Sequence, residues 1–403
     1  MNLKRTRSLT LLMSCLINLC VGATYSWSVF AGPLAERLTA LGAGPYTASD
    51  LGIVFTVYNI PGPFCMIIGG WLNRRFQVRR LIQGGCALYI AGLITCSCAC
   101  SLAALVVGFG LMVGFGVGTV YGCTVNNAVR LFPDKRGMAG GLTTGVYGIS
   151  SVLVPPVANA LIQRYDVAVA LRCLAAAFAV VLFFTSLLVE QGPEEAGQLA
   201  REGSRELNWR QMLRQPEFCG MSAMLLCGGL SGMMVVSSAS DMAQVEAGFT
   251  PAAAALMVSV ISLFNAGGRA SAGILSDRLG RIGTLSLVFP VSFASLCALY
   301  VGGRSSGGVF AVSPALVGAC FGSLMGIFPG FTADEFGQRN NSVNYGILFF
   351  GFSLSGMAGP QVAGWVMSRT GSYRNAFLAA AVVALGGFAL TFLHRRLVRR
   401  GNI

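Results

Sequence analysis

Long apolar runs alternate with short polar segments along almost the whole chain. The runs lie at approximately 9–31, 50–72, 81–100, 102–128, 138–162, 168–189, 217–240, 251–275, 283–302, 309–331, 342–367 and 374–393. Each is long enough to cross a hydrocarbon core, which needs about 20 apolar residues. Backbone groups in hydrocarbon must be bonded within their own segment, so each run is predicted to be an α-helix. The predicted fold class is an all-α membrane protein with twelve transmembrane helices.

The polar stretch from Glu190 to Phe218 divides this pattern near its middle. It predicts a six-helix bundle over 1–190, a cytoplasmic linker over 191–216 and a second six-helix bundle over 217–403. The two halves contain similar segments at corresponding places. "GWLNRRFQVRR" begins at Gly70 after the second run, and "GILSDRLGR" begins at Gly273 after the eighth. Duplicated halves are typical of transporters, whose substrates bind at the interface of the repeats.

The composition supports a membrane location. Hydrophobic residues make up 54% of the chain and charged residues only 11%, whereas soluble domains carry about 25% charged residues. The net charge is +13, and its basic residues concentrate in the segments that lie inside if the N-terminus is inside. This bias sets membrane topology, so we expect no nucleic-acid partner. The expected location is a bacterial cytoplasmic (inner) membrane, with both termini cytoplasmic.

The sequence contains no pattern that predicts an enzyme, a cofactor or a metal site. Its 13 cysteines are scattered through apolar runs, and no CxxC is paired with a second one. Such cysteines usually act as small packing residues. No Ser–His pair or paired carboxylates occur at predicted membrane depth.

Arg269 lies inside the apolar stretch "SLFNAGGRASAGILSDRLGR", Ser262 to Arg281. A charge at the bilayer centre costs roughly 2.5–3.5 kcal/mol or more. Asn265 lies one helical turn earlier on the same face, and the neighbouring residues are small. An organic anion held by the guanidinium fork would offset this cost. The alternative is that Arg269 extends its charged end to the membrane surface.

The segment after the eighth run has the pattern G-x-L-x-D-R-x-G-R. Its members are Gly273, Leu275, Asp277, Arg278, Gly280 and Arg281. This pattern resembles the loop motif of the major facilitator superfamily, which implies alternating access and a gating role for these charges. The first copy is degraded, with Arg74 in the position of the aspartate. The alternative is a turn glycine with topology-setting charges.

Three further stretches resemble the oxalate/formate antiporter family, which is related to the monocarboxylate transporters. They are "GATYSWSVFAGPL" at 22–34, "YGCTVNNAVRLFPDKRG" at 121–137 and "FPGFTADEFGQRNNSVNYGILFFGF" at 328–352. The resemblance implies that Tyr25 and Tyr121 are cavity tyrosines that close over a carboxylate, and that Phe321 is a cavity aromatic. The alternatives are an interfacial belt for Tyr25 and simple packing for the others.

Phe352 marks a departure from that family. Its oxalate exchangers pair the helix-eight arginine with a helix-eleven lysine, and Phe352 fills that position here. The loss of one cation favours a monocarboxylate such as lactate, pyruvate or formate. An oxalate/formate-type dicarboxylate antiporter is the alternative. A drug exporter and a non-transporting membrane sensor are the rivals from other classes.

Energy coupling stays open at this point. The only histidine, His394, falls in the predicted cytoplasmic tail, and Asp50, Asp241 and Glu246 fall near outer ends. The carboxylate is therefore expected to travel with a proton or to exchange for a counter-anion. The expected partners are the substrate, that proton or counter-anion, and the lipid bilayer. The family resemblance implies a monomer.

Overall fold

The computed structural model describes residues 3–48, 50–73, 75–192, 206–303 and 307–401, and every regular element within these ranges is helical. The helices before the central linker are α1 (Leu3–Val21), α2 (Trp27–Ala40), α3 (Gly52–Asn59), α4 (Pro61–Leu72), α5 (Val78–Ser97), α6 (Leu102–Leu105), α7 (Gly114–Leu131), α8 (Arg136–Arg164) and α9 (Val167–Leu187). The later helices are α10 (Trp209–Leu213), α11 (Pro216–Val236), α12 (Ala239–Ala247), α13 (Pro251–Leu279), α14 (Arg281–Gly302), α15 (Gly307–Phe336), α16 (Asn341–Thr370) and α17 (Arg374–Gly401).

Several predicted runs contain local irregularities. A 3₁₀ segment, Gly22–Ser26, joins α1 to α2, and a π-helical segment, Val106–Val113, joins α6 to α7. The second run breaks near Ile60, where Pro61 begins α4, because proline lacks the N–H that a continuing helix needs. The short non-helical stretch between α5 and α6 separates the third and fourth runs, as the sequence predicts.

Eleven helical stretches of the described chain are long and apolar enough to cross a membrane. The remaining predicted run corresponds to α5, a 20-residue helix that carries Arg79 and Arg80 in its first turn. Each predicted run therefore lies on a helical stretch, and the all-α fold class is confirmed. Large apolar side chains lie on the outer surface, among them Phe184 at 62% exposure and Leu256 at 67%. Such surfaces suit a lipid environment.

The chain forms two compact units. Unit 1 contains Met1–Phe132 and Val146–Ala196, and unit 2 contains Pro133–Gly145 and Gly197–Ile403. The first turns of α8 therefore pack within unit 2, a grouping that the apolar pattern did not suggest. Of the predicted linker, residues 193–205 lie outside the described residues. Its last part includes α10 and Glu206, whose carboxylate accepts the backbone N–H groups of Gln338 and Arg339 at 3.1 and 3.0 Å.

Glycines let the helices of unit 1 pack closely. A Cβ at Gly116 would lie 2.8 Å from the carbonyl oxygen of Gly85, and one at Gly118 would lie 2.8 Å from Cβ of Cys65. Two hydrogen bonds connect α1 to its neighbouring helices. Asn18 Nδ2 donates to Thr124 Oγ1 of α7 at 2.7 Å, and the Tyr89 hydroxyl of α5 donates to the Cys20 carbonyl at 3.0 Å.

Two helices of unit 2 extend further than their apolar runs. α15 includes Asp334 and Glu335 in its last turn, and α17 continues through His394. His394 does not lie in a tail beyond the last helix, as predicted, but within α17, where its side chain is 1% exposed. The apolar pattern ended the run too early because a few polar residues in a final turn lower local hydropathy without ending the helix.

Candidate functional site

Arg269 lies on α13 with only 3% of its surface exposed. Its Nε donates to Asn265 Oδ1 at 2.9 Å, and its Nη1 donates to the carbonyl oxygen of Thr144 at 3.2 Å. Asn265 in turn donates to the Gly318 carbonyl at 3.3 Å. The predicted pair of Asn265 and Arg269 is therefore brought together by i,i+4 helical spacing. These neutral acceptors fix the orientation of a planar cation that has five N–H donors.

A glycine series on α15 lets α13 approach at backbone distance. Gly318, Gly322 and Gly326 repeat every fourth residue, so they lie on one helical face. A Cβ at Gly322 would meet the carbonyl of Asn265, and one at Gly326 would meet the carbonyl of Arg269. The backbones of Asn265 and Arg269 therefore pack against Gly322 and Gly326, where any larger side chain would collide with them.

A second glycine series lies in the first turns of α8. A Cβ at Gly141 would be 2.5 Å from the Arg269 carbonyl, and one at Gly145 would be 3.1 Å from the Ala266 carbonyl. Both series therefore position the same part of α13. The sequence analysis missed them, although the four-residue glycine spacing was available as a signal.

The two predicted phenylalanines form one apolar surface in unit 2. The rings of Phe321 on α15 and Phe352 on α16 are stacked, with centroids 5.5 Å apart and an interplanar angle of 19°. Phe349 extends the cluster, with its centroid 5.0 Å from that of Phe352. Phe321 also directly precedes Gly322, which contacts the Asn265 backbone.

The two predicted tyrosines belong to a cluster in unit 1. Tyr25 is 40% exposed and Tyr121 is buried, and the ring centroid of each lies 5.2 Å from that of Tyr147. The hydroxyl of Tyr147 lies 3.1 Å from that of Tyr58 and 3.2 Å from that of Thr24. The Thr24 and Tyr58 hydroxyls are 2.9 Å apart. We call Thr24, Tyr58 and Tyr147 the hydroxyl cluster.

Sequence reasoning missed Tyr58 and Tyr147. A signal existed for Tyr147, because the triplet Val-Tyr-Gly occurs at 120–122 and again at 146–148. Tyr121 was selected through the family resemblance, which was not extended to this second triplet. No comparable local pattern marks Tyr58, which joins the cluster only through tertiary packing.

The predicted gating loop forms an ionic network in unit 2. Asp277 accepts the backbone N–H groups of Gly137 and Met138 at 2.8 and 2.7 Å, and it pairs with Arg281 at 2.7 Å. Its carboxylate thus caps the N-terminus of α8, where the helix dipole favours negative charge. Asp334 links Arg281 to Arg136, with both contacts at 2.7 Å.

The remaining loop residues shape that turn. Gly280 adopts φ +77° between α13 and α14, in the left-handed region that favours glycine. A Cβ at Gly273 would meet the Gly137 carbonyl, so glycine permits the close approach of α13 to α8. Arg278 is exposed on the same turn. Within the described residues, no group of three or more His, Cys, Asp or Glu side chains could hold a metal ion.

Curated relatives match most of the chain. An uncharacterized transporter of Escherichia coli, YhjX, is 27% identical over 88% of this chain and 86% of its own. The oxalate:formate antiporter of Oxalobacter formigenes is 28% identical, covering 97% of this chain and 91% of its own. Monocarboxylate transporter 12 of Xenopus laevis is 23% identical, covering 81% and 75%. The predicted resemblance to oxalate/formate and monocarboxylate carriers is confirmed.

Solved structures share the fold. The fucose:proton symporter of Escherichia coli superposes with a TM-score of 0.72 at 15% identity, covering 95% of this chain and 98% of that one. At this identity the likeness concerns the fold alone. The family model of the major facilitator superfamily matches residues 12–360.

Proposed function

The chain belongs to the major facilitator superfamily, and from this premise we propose that it carries small monocarboxylates, of the lactate, pyruvate or formate type, by secondary active transport. As a member of a family of transporters it is a multi-pass membrane protein and not an enzyme. The proposed substrate-binding residues are Arg269, Asn265, Phe321, Phe352, Tyr25 and Tyr121. The substrate carboxylate binds Arg269, and the carrier works by alternating access.

The buried guanidinium of Arg269 is the observation that carries this proposal. Arginine stays charged in proteins, and its planar fork matches a carboxylate with two parallel hydrogen bonds. Its Nε is oriented by Asn265 and its Nη1 by the Thr144 carbonyl. A cation held this firmly at 3% exposure suits recognition of an anion better than contact with a membrane surface.

The stacked rings of Phe321 and Phe352 support a monoanion. Phe352 occupies the position where the family resemblance implies a second cation for a dicarboxylate. An aromatic wall accommodates the methyl or methylene part of a short acid, while one arginine balances one carboxylate. Oxalate:formate exchange is the second candidate, favoured by the relative of that name, which aligns with 97% of the chain.

The ionic network of Asp277, Arg281, Asp334 and Arg136 is the proposed gating latch. Asp277 binds the first N–H groups of α8 through its charge. We propose that these bonds hold one state of the transport cycle and are released in another. The carrier is proposed to act as a monomer in a bacterial inner membrane, with both termini cytoplasmic.

Transport into proteoliposomes tests the proposal. Wild type and Arg269→Ala are supplied with labelled lactate, pyruvate, formate and oxalate, with and without an inward proton gradient. We expect uptake of a monocarboxylate by wild type and its loss in the variant. Gradient stimulation indicates symport, and stimulation by internal unlabelled anion indicates exchange. Uptake of oxalate alone, or full transport by Arg269→Ala, would show that the proposal is wrong.

A further inference from the structure

His394 is a buried titratable side chain that the proposed anion site does not use. Its imidazole is 1% exposed within α17, and the Phe331 ring lies edge-on to it at a centroid distance of 5.4 Å. A Cβ at Gly220 of α11 would lie 3.2 Å from its Nδ1. Among the described residues, neither ring nitrogen has a hydrogen-bond partner. A buried polar atom without a partner destabilises the state that leaves it so.

Two carboxylates lie on helices that pack against α17. Glu335 Oε1 of α15 is 3.8 Å from His394 Nε2. Glu217 of α11 is 8% exposed, and its Oε2 has no hydrogen-bond partner within the described chain. It lies one helical turn before Gly220, the position at which an added Cβ would lie 3.2 Å from His394 Nδ1.

The basic groups near this end of unit 2 are engaged elsewhere. Arg281, at the start of α14, pairs with Asp277 and Asp334. On α17 itself, Arg395 donates to Ser286 at 3.2 Å, and Arg396 is exposed. The first turn of α16 presents the neutral Asn341. The carboxylate recorded beside the imidazole is that of Glu335, and Glu217 lies one helical turn from the point where α11 approaches the ring.

We propose that His394, together with Glu335 and Glu217, forms a proton-binding site. A neutral imidazole has one donor and one acceptor nitrogen, whereas a protonated one has two donors and a positive charge. Protonation therefore gives both nitrogens a hydrogen to donate, and Nε2 then donates towards the Glu335 carboxylate, whose Oε1 is 3.8 Å away. Histidine is the side chain whose charge changes most readily between about pH 5 and 8.

The site adjoins the proposed gating latch through consecutive residues of α15. Asp334 accepts from Arg136 and Arg281, and Glu335 lies next to His394. A proton that draws Glu335 towards the imidazole acts on the helical turn that holds Asp334. Resting on the proposed function, this arrangement assigns the coupling: a proton bound at His394 biases the latch, and the carboxylate travels with it.

Histidine NMR tests proton binding without any transport measurement. The chain has a single histidine, so ¹⁵N-histidine labelling gives one imidazole, provided that the protein is purified through a tag without histidine. We expect a transition between the neutral and protonated forms with pH. In Glu335→Gln we expect the pH dependence of the imidazole spectrum to change, since Glu335 is the carboxylate 3.8 Å from Nε2. An imidazole that does not titrate, or an unmoved transition in both Glu335→Gln and Glu217→Gln, would overturn the proposal.

Proteoliposome transport tests the coupling. In His394→Gln we expect stimulation by an inward proton gradient to be lost, while counterflow of labelled anion falls much less. Arg396→Gln, an exposed change two residues away, should behave as wild type. Thermal unfolding and gel filtration show whether each variant is folded, and Glu335→Gln provides a second test if His394→Gln is not. Gradient stimulation that persists in either folded variant would refute the coupling, whereas absent carboxylate uptake by wild type would refute only the proposed function.

Discussion

The arginine site of unit 2 and the hydroxyl cluster of unit 1 are built on opposite principles. Arg269 carries a permanent charge, and neutral oxygens of Asn265 and Thr144 orient it. The hydroxyl cluster consists of neutral groups that bond mainly to each other. Each hydroxyl can donate or accept, so the cluster can rearrange, whereas the guanidinium can only donate.

This difference indicates where the free energy of anion binding resides. Hydrogen bonds to charged groups contribute about 1.5–3 kcal/mol each, whereas neutral ones contribute about 0.5–1.5 kcal/mol. The arginine site should therefore determine whether an anion binds. The hydroxyl cluster holds Tyr147 against the proposed binding residues Tyr25 and Tyr121 of unit 1, so changes to it should have the smaller effect on affinity.

Loss of the charge should produce the largest effect. Two charged hydrogen bonds of about 1.5–3 kcal/mol predict that Arg269→Ala lowers the affinity for a monocarboxylate at least about 100-fold. Arg269→Lys keeps the charge without the fork and should fall in between. Binding is measured by calorimetry or substrate-induced thermal stabilisation of the purified protein. Wild-type affinity in Arg269→Ala would show that the arginine site does not determine whether an anion binds.

Displacing the arginine backbone should have the next largest effect. Gly326→Ala places a methyl group against the Arg269 carbonyl, and such overpacking typically costs about 1–3 kcal/mol. We expect a lower unfolding temperature together with weaker substrate binding.

Gly267→Ala is the matched control, because a Cβ there meets nothing within 4 Å on the same helix as Arg269. Thermal unfolding and substrate affinity are measured for both variants. Equal behaviour of the two would show that the glycine series does not position the arginine.

Weakening the gating latch of unit 2 should change the transport rate more than the affinity for substrate. Asp277→Asn removes the charge that caps α8 and pairs with Arg281, at a cost of about 1.5–3 kcal/mol. We expect the transport rate to change by about tenfold or more while the affinity of Arg269 for substrate changes little. Arg396→Gln, an exposed charge of the same unit, should leave both unchanged. An effect on affinity alone would contradict a gating role.

Removing one hydroxyl should give the smallest effect. Tyr147→Phe retains the ring contacts with Tyr25 and Tyr121 but loses the bonds to Thr24 and Tyr58. A neutral hydrogen bond contributes about 0.5–1.5 kcal/mol, so its loss should change the apparent affinity about two- to tenfold. Tyr165→Phe, at a tyrosine that is 58% exposed, is the control. A loss of affinity in Tyr147→Phe as large as that in Arg269→Ala would contradict the expected difference between the two sites.

Some of the candidate site could be predicted because it depends on local spacing. Asn265 and Arg269 meet through one helical turn, so the sequence was enough to pair them. Tyr58 and Tyr147 are 89 residues apart and meet only through packing. The proximity of His394 to Glu335 likewise joins two helices and has no local signature.

The sequence by itself determined the all-helical class, the approximate limits of the apolar runs and the family, because hydrocarbon forces every apolar run to satisfy its backbone within a helix. It also identified Arg269, since a permanent cation in such a run is costly. Only the tertiary structure decided that the first turns of α8 belong with unit 2, that Asp277 caps them, and that His394 is buried beside Glu335. Those features depend on contacts between segments that are distant in the sequence. Glycines on the packed helix faces permit such contacts, but the local hydropathy of the chain does not specify them.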